Sequence, residues 1–410
     1  MTAQKKSSEI ILINVSGYDK PGLTSEITGI MSQFDIRILD VGQAVIHDYL
    51  TWGTLIEVPP GQDLSSMLKD LLFRMHELDL NVQFNPVKRE DYAVWVKGKD
   101  KRRYIVTLLS RSVTAEQVAR VSGITAAHGL NIDNITRLSS RPPLTTEHKK
   151  SIACIEFSVR GTPPDIDALR KDFLHISSEL DIDVAFQEDS IFRRNRRLVV
   201  FDMDSTLIQE EVIDELAKEA GVGEQVAAIT QATSRGEIDF TESFIQRLAL
   251  LKGLDESVLA QVAQRLELTE GAERLIGTLK GLGYKTAILS GGFTYFANYL
   301  KQLLGIDYVY ANELEVESGK VTGKVSGVVV DGQRKAELLV EIARKEHIGS
   351  EQVIAVGDGA NDLQMLSKAG LGVAFHAKPL VKASAQHSLS SIGLDGVLYL
   401  IGFRDKETGE

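Results

Sequence analysis

Cysteine is nearly missing from the chain: Cys154 is the only one in 410 residues. No intrachain disulfide can form, so nothing asks for an oxidising compartment, and Cys154 reads as a small buried apolar side chain rather than a reactive thiol. Proline is scarce too, with 9 residues against 34 glycines. With 43% hydrophobic and 25% charged residues, the composition excludes a disordered or collagen-like chain and leaves enough apolar material for substantial cores. Long apolar runs are absent, none nearing the roughly 18 residues that a membrane span needs. The stretch Ile10–Ile13, although it follows Lys5 and Lys6, is too short for the apolar core of a signal peptide. A cytoplasmic protein without membrane contact is the expectation.

Positive charge is in deficit, with 46 Lys and Arg against 57 Asp and Glu. The imbalance is local: residues 1–200 hold 26 of each sign, whereas 201–410 hold 20 basic and 31 acidic residues. An acidic second half has the wrong sign for a nucleic-acid footprint and is compatible with a divalent-cation site. The dense basic run Arg193-Arg194-Asn195-Arg196-Arg197 is short and lacks interleaved aromatics, so it reads as a solvated linker.

At roughly 150 residues per domain, the length favours two or three domains. The first 190 residues repeat one pattern, strand-helix-strand-strand-helix-strand, at a period of about 95 residues. In the first copy Ile10–Val15 is a strand, and Leu23, Ile27, Ile30, Met31 and Phe34 form a helical stripe. Two strands between Ile36 and Val58, a helix carrying Met67, Leu71 and Met75, and the strand Asn81–Phe84 follow. The second copy runs through Tyr104–Leu109, Val113–His128, Leu130–Leu138, Ser151–Val159, Ile166–Leu180 and Asp183–Phe186, with a loop at Ser139–Thr146. Expected boundaries are 1–90, 91–190 and 191–410.

The units resemble ACT domains, modules that bind amino acids at subunit interfaces and regulate enzymes of amino-acid metabolism. The resemblance is strongest at Gly17-Tyr18-Asp19-Lys20-Pro21-Gly22, where glycines leave backbone N–H groups available to a carboxylate. Gly17, Asp19 and Gly22 are thus the candidate regulatory residues. The equivalent turn of the second copy, Ser110–Ala115, has no Pro-Gly. The resemblance implies an amino-acid effector, with serine the expected one, and a homodimer joined through these units.

Beyond Arg197, apolar strands alternate with helices, the pattern of a parallel sheet covered on both faces. Three strands end in chemistry. Leu198–Phe201 runs into Asp202-Met203-Asp204-Ser205-Thr206, Lys285–Leu289 into Ser290-Gly291-Gly292, and Val353–Val356 into Gly357-Asp358-Gly359-Ala360-Asn361-Asp362. In an open parallel sheet the carboxyl ends of strands share one edge, so Asp202 and Asp358 can meet although 156 residues separate them. Four carboxylates there, Asp202, Asp204, Asp358 and Asp362, would raise one another's pKa unless a cation neutralised them. An oxygen-only set favours Mg²⁺. Ser290-Gly291-Gly292, at an expected helix start, offers a phosphate cradle to which Lys335 could add a point charge.

These four motifs resemble those of the haloacid dehalogenase superfamily, and 197 to about 392 is similar to its phosphoserine phosphatase family. The fold implied is a Rossmann-like α/β parallel sheet with a helical cap at about 208–275, preceded by two α+β ferredoxin-like ACT units. The resemblance implies hydrolysis of O-phospho-serine, the last step of serine biosynthesis. Asp202 would attack phosphorus, giving an aspartyl-phosphate, and Asp204 would act as general acid and then base. The Asp202 and Asp358 side chains with the Asp204 carbonyl would hold Mg²⁺, Ser290 and Lys335 would grip the phosphoryl oxygens, and Asp362 would orient Lys335 or a metal-bound water. In the cap, Glu211 would take the substrate ammonium and Arg247 its carboxylate, with Phe240 as an apolar wall and Asn361 lining the same pocket. Glu313–Val330 reads as a hairpin flap. Two rivals remain: phosphoryl transfer to another hydroxyl such as that of homoserine, and an amino-acid-sensing binding protein with an inactive phosphatase half.

Overall fold

Burial alternates along Ile11, Ile13 and Val15, so the first strand is one-sided, with helices on one face only. The computed structural model describes residues 8–62, 64–98, 101–141 and 151–408, which form two units, one ending at Lys101 and the other beginning at Arg102. In the first unit β1 (Glu9–Tyr18), β2 (Arg37–Ile46), β3 (Tyr49–Val58) and β4 (Asn81–Val87) make an antiparallel sheet in the order β2-β3-β1-β4. Helices α1 (Leu23–Met31) and α2 (Leu64–Glu77) bury Ile27, Met31, Met67, Leu71 and Met75 against Ile13, Trp52 and Ile56. An unexpected helix, α3 (Arg89–Gly98), buries no residue. Its apolar residues form one short run, Tyr92 to Val96, too brief for periodicity to mark as a helix.

The second unit opens with the other copy of the module: β5 (Arg103–Ser110), α4 (Ala115–Ala127), β6 (Leu130–Arg137), β7 (Ala153–Gly161), α5 (Ile166–Leu180) and β8 (Asp183–Glu188), in the order β6-β7-β5-β8. Of the loop expected at Ser139–Thr146, residues 142–146 lie outside the described residues. Thr114 and Gln117 form a reciprocal cap at the start of α4, each side chain accepting from the other's backbone N–H. Cys154 is fully buried, as a small apolar residue would be.

The remaining strands, β9 (Leu198–Phe201), β10 (Lys285–Phe293), β11 (Tyr308–Glu317), β12 (Lys320–Ser326), β13 (Val353–Gly357), β14 (Leu371–Phe375) and β15 (His387–Leu389), form one sheet ordered β12-β11-β10-β9-β13-β14-β15. All neighbours are parallel except the β11–β12 hairpin. The wholly buried, uninterrupted apolar run of β9 suits its central position. Between β9 and β10 come α6 (Val212–Glu219), α7 (Gly223–Ser234), α8 (Phe240–Ala249), α9 (Ser257–Arg265) and α10 (Ala272–Gly281). The chain leaves and re-enters the sheet domain beside an antiparallel bridge of Ile208 with Leu268, so α6–α9 form a helical insertion. Helices α11 (Thr294–Leu304), α12 (Gly332–Lys345), α13 (Leu363–Lys368) and α14 (Pro379–Ser384) complete the wrapping.

The basic run is not a solvated linker. Arg193 and Arg196 are buried; Arg193 pairs with Glu156 at 2.6 Å and donates to the carbonyl of Leu400 at 3.2 Å. Arg194 donates to the Gly402 carbonyl at 2.6 Å, and Arg196 to that of Glu351. Long guanidinium side chains thus satisfy the carbonyls of Leu400, Gly402 and Glu351, with Arg193 and Arg196 turned inward and Arg194 and Arg197 exposed. Leu109, Leu138, Cys154 and Ala185 of the second ACT-like module share one apolar core with Phe201, Leu275 and Leu398.

Candidate active site

β9 ends at Phe201, and the backbone N–H of Asp202 donates to Val356 O at 2.9 Å, locking the first acidic loop to the strand that delivers the last one. The three strand ends therefore meet at one edge. Lys335 arrives from the first turn of α12, whose start is fixed by Asp331 accepting from Arg334 N–H at 2.8 Å. Its Nζ lies 2.8 Å from Asp202 Oδ1 and 2.8 Å from Asp362 Oδ1. The side chain is wholly buried. Burial alone would lower the lysine pKa, but the two carboxylates reverse the sign and hold it raised and charged. Asp362 also accepts from Gly359 N–H at 3.0 Å, and so ties Lys335 to the last acidic loop.

Asp202, Asp358 and Asp362 each place a carboxylate oxygen within 4.8 Å of the others. Burial, then the negative charges of Asp362 and Asp358, pushes Asp202 well above the ordinary carboxylate range despite Lys335. Asp358 is pushed up to about 7 by burial, Asp362 and Glu211. Asp204 is pushed up to about 7 by burial and then by Glu211, against the pull of a 2.9 Å hydrogen bond from Val212 N–H. Carboxylates raised this way are poised to take a hard cation, and the all-oxygen set fits Mg²⁺.

Ser290 Oγ lies 3.4 Å from Asp204 Oδ2 and accepts from Gly292 N–H at 2.8 Å. The sequence expectation needs one correction here: β10 continues through Ser290-Gly291-Gly292 to Phe293, and α11 starts only at Thr294. The register shift between Leu289 and Phe293 shows why: the glycine pair is an irregular strand end, not a helix start. A Cβ on Gly292 would fall on Asp204 Oδ2 and within 2.8 Å of Met203 Cε, so a larger residue there would displace the Asp204 carboxylate. A Cβ on Gly291 would come within 2.8 Å of Phe240 Cζ, so the structure brings Phe240 of α8 against the cradle.

Glu211 precedes α6 and accepts from Ser205 Oγ at 2.9 Å. Arg247 on α8 is buried, and burial lowers the pKa of its guanidinium against the opposing pull of Glu211, Asp214 and Asp204. Asn361 stands in the loop between Asp358 and Asp362, part-buried. The β11–β12 hairpin packs on the cap, with Gly253 N–H donating to Val321 O at 2.8 Å.

Three residues at the site have no role assigned from the sequence. Asn312, buried on β11, donates to Gly291 O and accepts from Val330 N–H, both at 2.8 Å, and so couples the cradle to the approach of α12. A lone amide inside a strand was its only signal. Thr206 places its hydroxyl 3.5 Å from Asp358 Oδ1. Asp214, within the electrostatic reach of Arg247, has a buried Oδ1 without a hydrogen-bond partner.

In the first unit, Asp19 and Gly22 line a cavity of about 290 Å³ together with Lys20, Thr24, Ser25 and Gln43. Gly17 does not line it. β1 continues through Gly17 to Tyr18, because the pairing with β3 extends to Tyr49, so the turn begins two residues later than expected.

Models of three families match the chain: the ACT domain at residues 9–85 and again, in a second form, at 103–187, and the haloacid dehalogenase-like hydrolase at 199–367. The fold and the site thus define a haloacid dehalogenase-like hydrolase preceded by two ACT domains. A phosphoserine phosphatase of Mycobacterium tuberculosis is 39% identical over 96% of this chain and 93% of its own length. One of Streptomyces coelicolor is 37% identical over 99% and 95%. The crystal structure of a probable phosphoserine phosphatase from Vibrio cholerae, 38% identical, superimposes with a TM-score of 0.58 over 74% of this chain and 87% of that one. The chain belongs to the phosphoserine phosphatase family.

Proposed function

We propose that the protein hydrolyses O-phospho-serine to serine and phosphate, closing a serine-forming route in the cytoplasm. The observation that carries the reading is the meeting of Asp202, Asp204, Ser290, Lys335 and Asp358 at one sheet edge beneath a cap that supplies Glu211 and Arg247. Asp202 is the nucleophile: its oxygen attacks phosphorus as the serine oxygen departs, leaving an aspartyl-phosphate that water then cleaves. Asp204, pushed up to about 7, keeps a proton near neutrality, gives it to the departing oxygen and takes one from the incoming water. Lys335 and Ser290, with the Gly291 and Gly292 amides, hold the phosphoryl oxygens, and Asp362 steadies Lys335.

The Asp202 and Asp358 carboxylates and the Asp204 carbonyl would hold Mg²⁺, which supplies charge neutralisation for the transferring group. Glu211 and Arg247 pair with the substrate ammonium and carboxylate, Phe240 walls the pocket, and Asn361 lines it. Asp19 and Gly22 contribute to an amino-acid effector site, with serine as the effector. A homodimer forms through the ACT domains; in the first of them the outer strand β2 leaves Val41 and Ile46 55% and 78% exposed. Among the described residues, no helix is long and apolar enough to cross a membrane.

Phosphate release from O-phospho-serine tests the reading. Asp202→Asn should reduce turnover by more than about a thousandfold without loss of folding; unchanged turnover refutes the nucleophile. Chelation should stop release and added Mg²⁺ restore it. Release that is insensitive to homoserine removes the transferase reading.

A further inference from the structure

A second polar cleft lies in the same unit, away from the acidic edge. It opens between α5 of the second ACT domain and the segment running from α14 into β15, and has a volume of about 320 Å³. Arg170 and Lys171 line it from α5, Lys382 from α14, and Asp167 is the single carboxylate in its wall, leaving an excess of two positive charges. Arg170 Nη1 is 3.7 Å from Asp167 Oδ1, while its buried Nε has no hydrogen-bond partner. His387 closes the cleft from the sheet side. It is 6% exposed, and its buried Nδ1 is also without a partner.

Buried polar atoms are almost always hydrogen-bonded, and here Arg170 and His387, which line one cationic cleft from different structural elements, each carry a buried nitrogen without a partner. We propose that this cleft binds a small oxyanion, a phosphate or carboxylate borne by a metabolite, between Arg170, Lys382 and His387. The planar guanidinium suits an oxyanion, and Lys171 and Lys382 add point charges. Burial, with the charges of Arg170 and Arg196, holds His387 down at about 3. The imidazole is therefore neutral and serves as a hydrogen-bonding group, while the cations supply the charge. Phe173 and Val184 give the cleft one apolar side. With liquid water occupying about 30 Å³ per molecule, the cleft exceeds a bare anion and leaves room for a small organic body.

The location gives binding a route to the reaction. β15 pairs with β14 at His387 and Val373, β14 pairs with β13, and β13 ends beside Asp358. A ligand bridging α5 and β15 would therefore join the second ACT domain to the sheet that carries the acidic edge. The binding claim does not depend on the identity of the catalytic substrate.

Isothermal titration of the full-length protein with inorganic phosphate and, separately, acetate tests the inference and distinguishes the two oxyanions. With at least one probe, we expect a binding event that Arg170→Gln combined with Lys382→Gln weakens at least tenfold, with catalytic turnover kept within twofold. Lys171→Gln and Lys382→Gln, changes at side chains that reach solvent, should each weaken the same event; they decide the matter if the double variant does not fold. Isotherms that none of these substitutions alters, for either probe, overturn the proposal by leaving phosphate only at the catalytic edge. A crystal soaked in both probes that shows water alone between Arg170 and His387 overturns it as well.

Discussion

The two ACT domains have corresponding strand orders but use equivalent positions differently. In the first, the turn after β1 borders a cavity lined by Asp19, Gly22 and Gln43. In the second, the turn after β5 carries Arg111, which grips Glu270 at the foot of the cap through two bonds of 2.6 and 2.9 Å. The arginines that follow the two modules differ in the same way. Arg89 meets Glu57 at 3.1 Å with 53% of its side chain exposed; Arg193 meets Glu156 at 2.6 Å with 5% exposed. At β8, Asp183 accepts from the N–H groups of Ser390 and Ser391 at 2.8 and 2.9 Å. A module with one sheet plan can therefore border an open cavity in one copy and form a structural wall of the neighbouring domain in the other, depending on a few polar side chains at its rim.

The largest contrast should come from removing the two arginines. Arg193→Ala strands a mostly buried Glu156 and leaves the Leu400 carbonyl without this donor, and should cost about 3–5 kcal/mol. Arg89→Ala breaks an exposed pair and should cost no more than about 1 kcal/mol. Urea unfolding of both variants checks the difference. Equal losses would mean that the second copy is no more firmly attached than a surface ion pair makes it.

Acid titration of the same junction gives the next effect, with two groups of opposite sign. Asp183 is pushed up to about 6, because burial outweighs its two backbone hydrogen bonds. The folded state then holds its proton more tightly than the unfolded chain, so this contribution is full below pH 3.8 and is lost as pH rises through about 6. His387 is held down at about 3, so its contribution is full above pH 6.5 and is lost as pH falls toward 3. In the intact protein the two slopes oppose each other between about pH 4 and 6. Relative to the parent protein, Asp183→Asn should tilt the pH dependence between pH 4 and 6 toward loss of stability on acidification, and His387→Gln should tilt it the opposite way. Each is worth about 2–3 kcal/mol across the window, at roughly 1.4 kcal/mol per pKa unit. Chemical denaturation at pH 4, 5 and 6 reads both signs.

Much of this arrangement was legible in the residues. The duplicated module follows from apolar periodicity, and the meeting of Asp202 with Asp358 follows from the rule that parallel strands share their carboxyl edge. The Arg193–Arg197 run was misread because a dense run of charge ordinarily faces water, and no local signal tells that Leu400 and Gly402 will present carbonyls to it. Helix α3 carries only the short apolar run Tyr92 to Val96, and Asn312 gains meaning only when Gly291 and Val330 arrive on either side of it. These features depend on tertiary partners, which periodicity does not encode.

A smaller effect sharpens the comparison at the turns themselves. Gly22 has φ +94°, and a Cβ there meets nothing within 4 Å. Gly22→Ala therefore introduces left-handed strain without a clash, and should lower the stability of the first unit by about 1–2 kcal/mol. It should also weaken any serine response that passes through this turn, since the strained backbone lines the cavity. Arg111→Ala in the second copy removes an ion pair about one-third exposed on each side, and should cost no more than about 1 kcal/mol. It should leave the serine response intact. Thermal unfolding and serine titration of the two variants separate a turn that binds an effector from one that anchors the cap. If Arg111→Ala abolished the serine response while Gly22→Ala preserved it, the assignment of the two copies would be reversed.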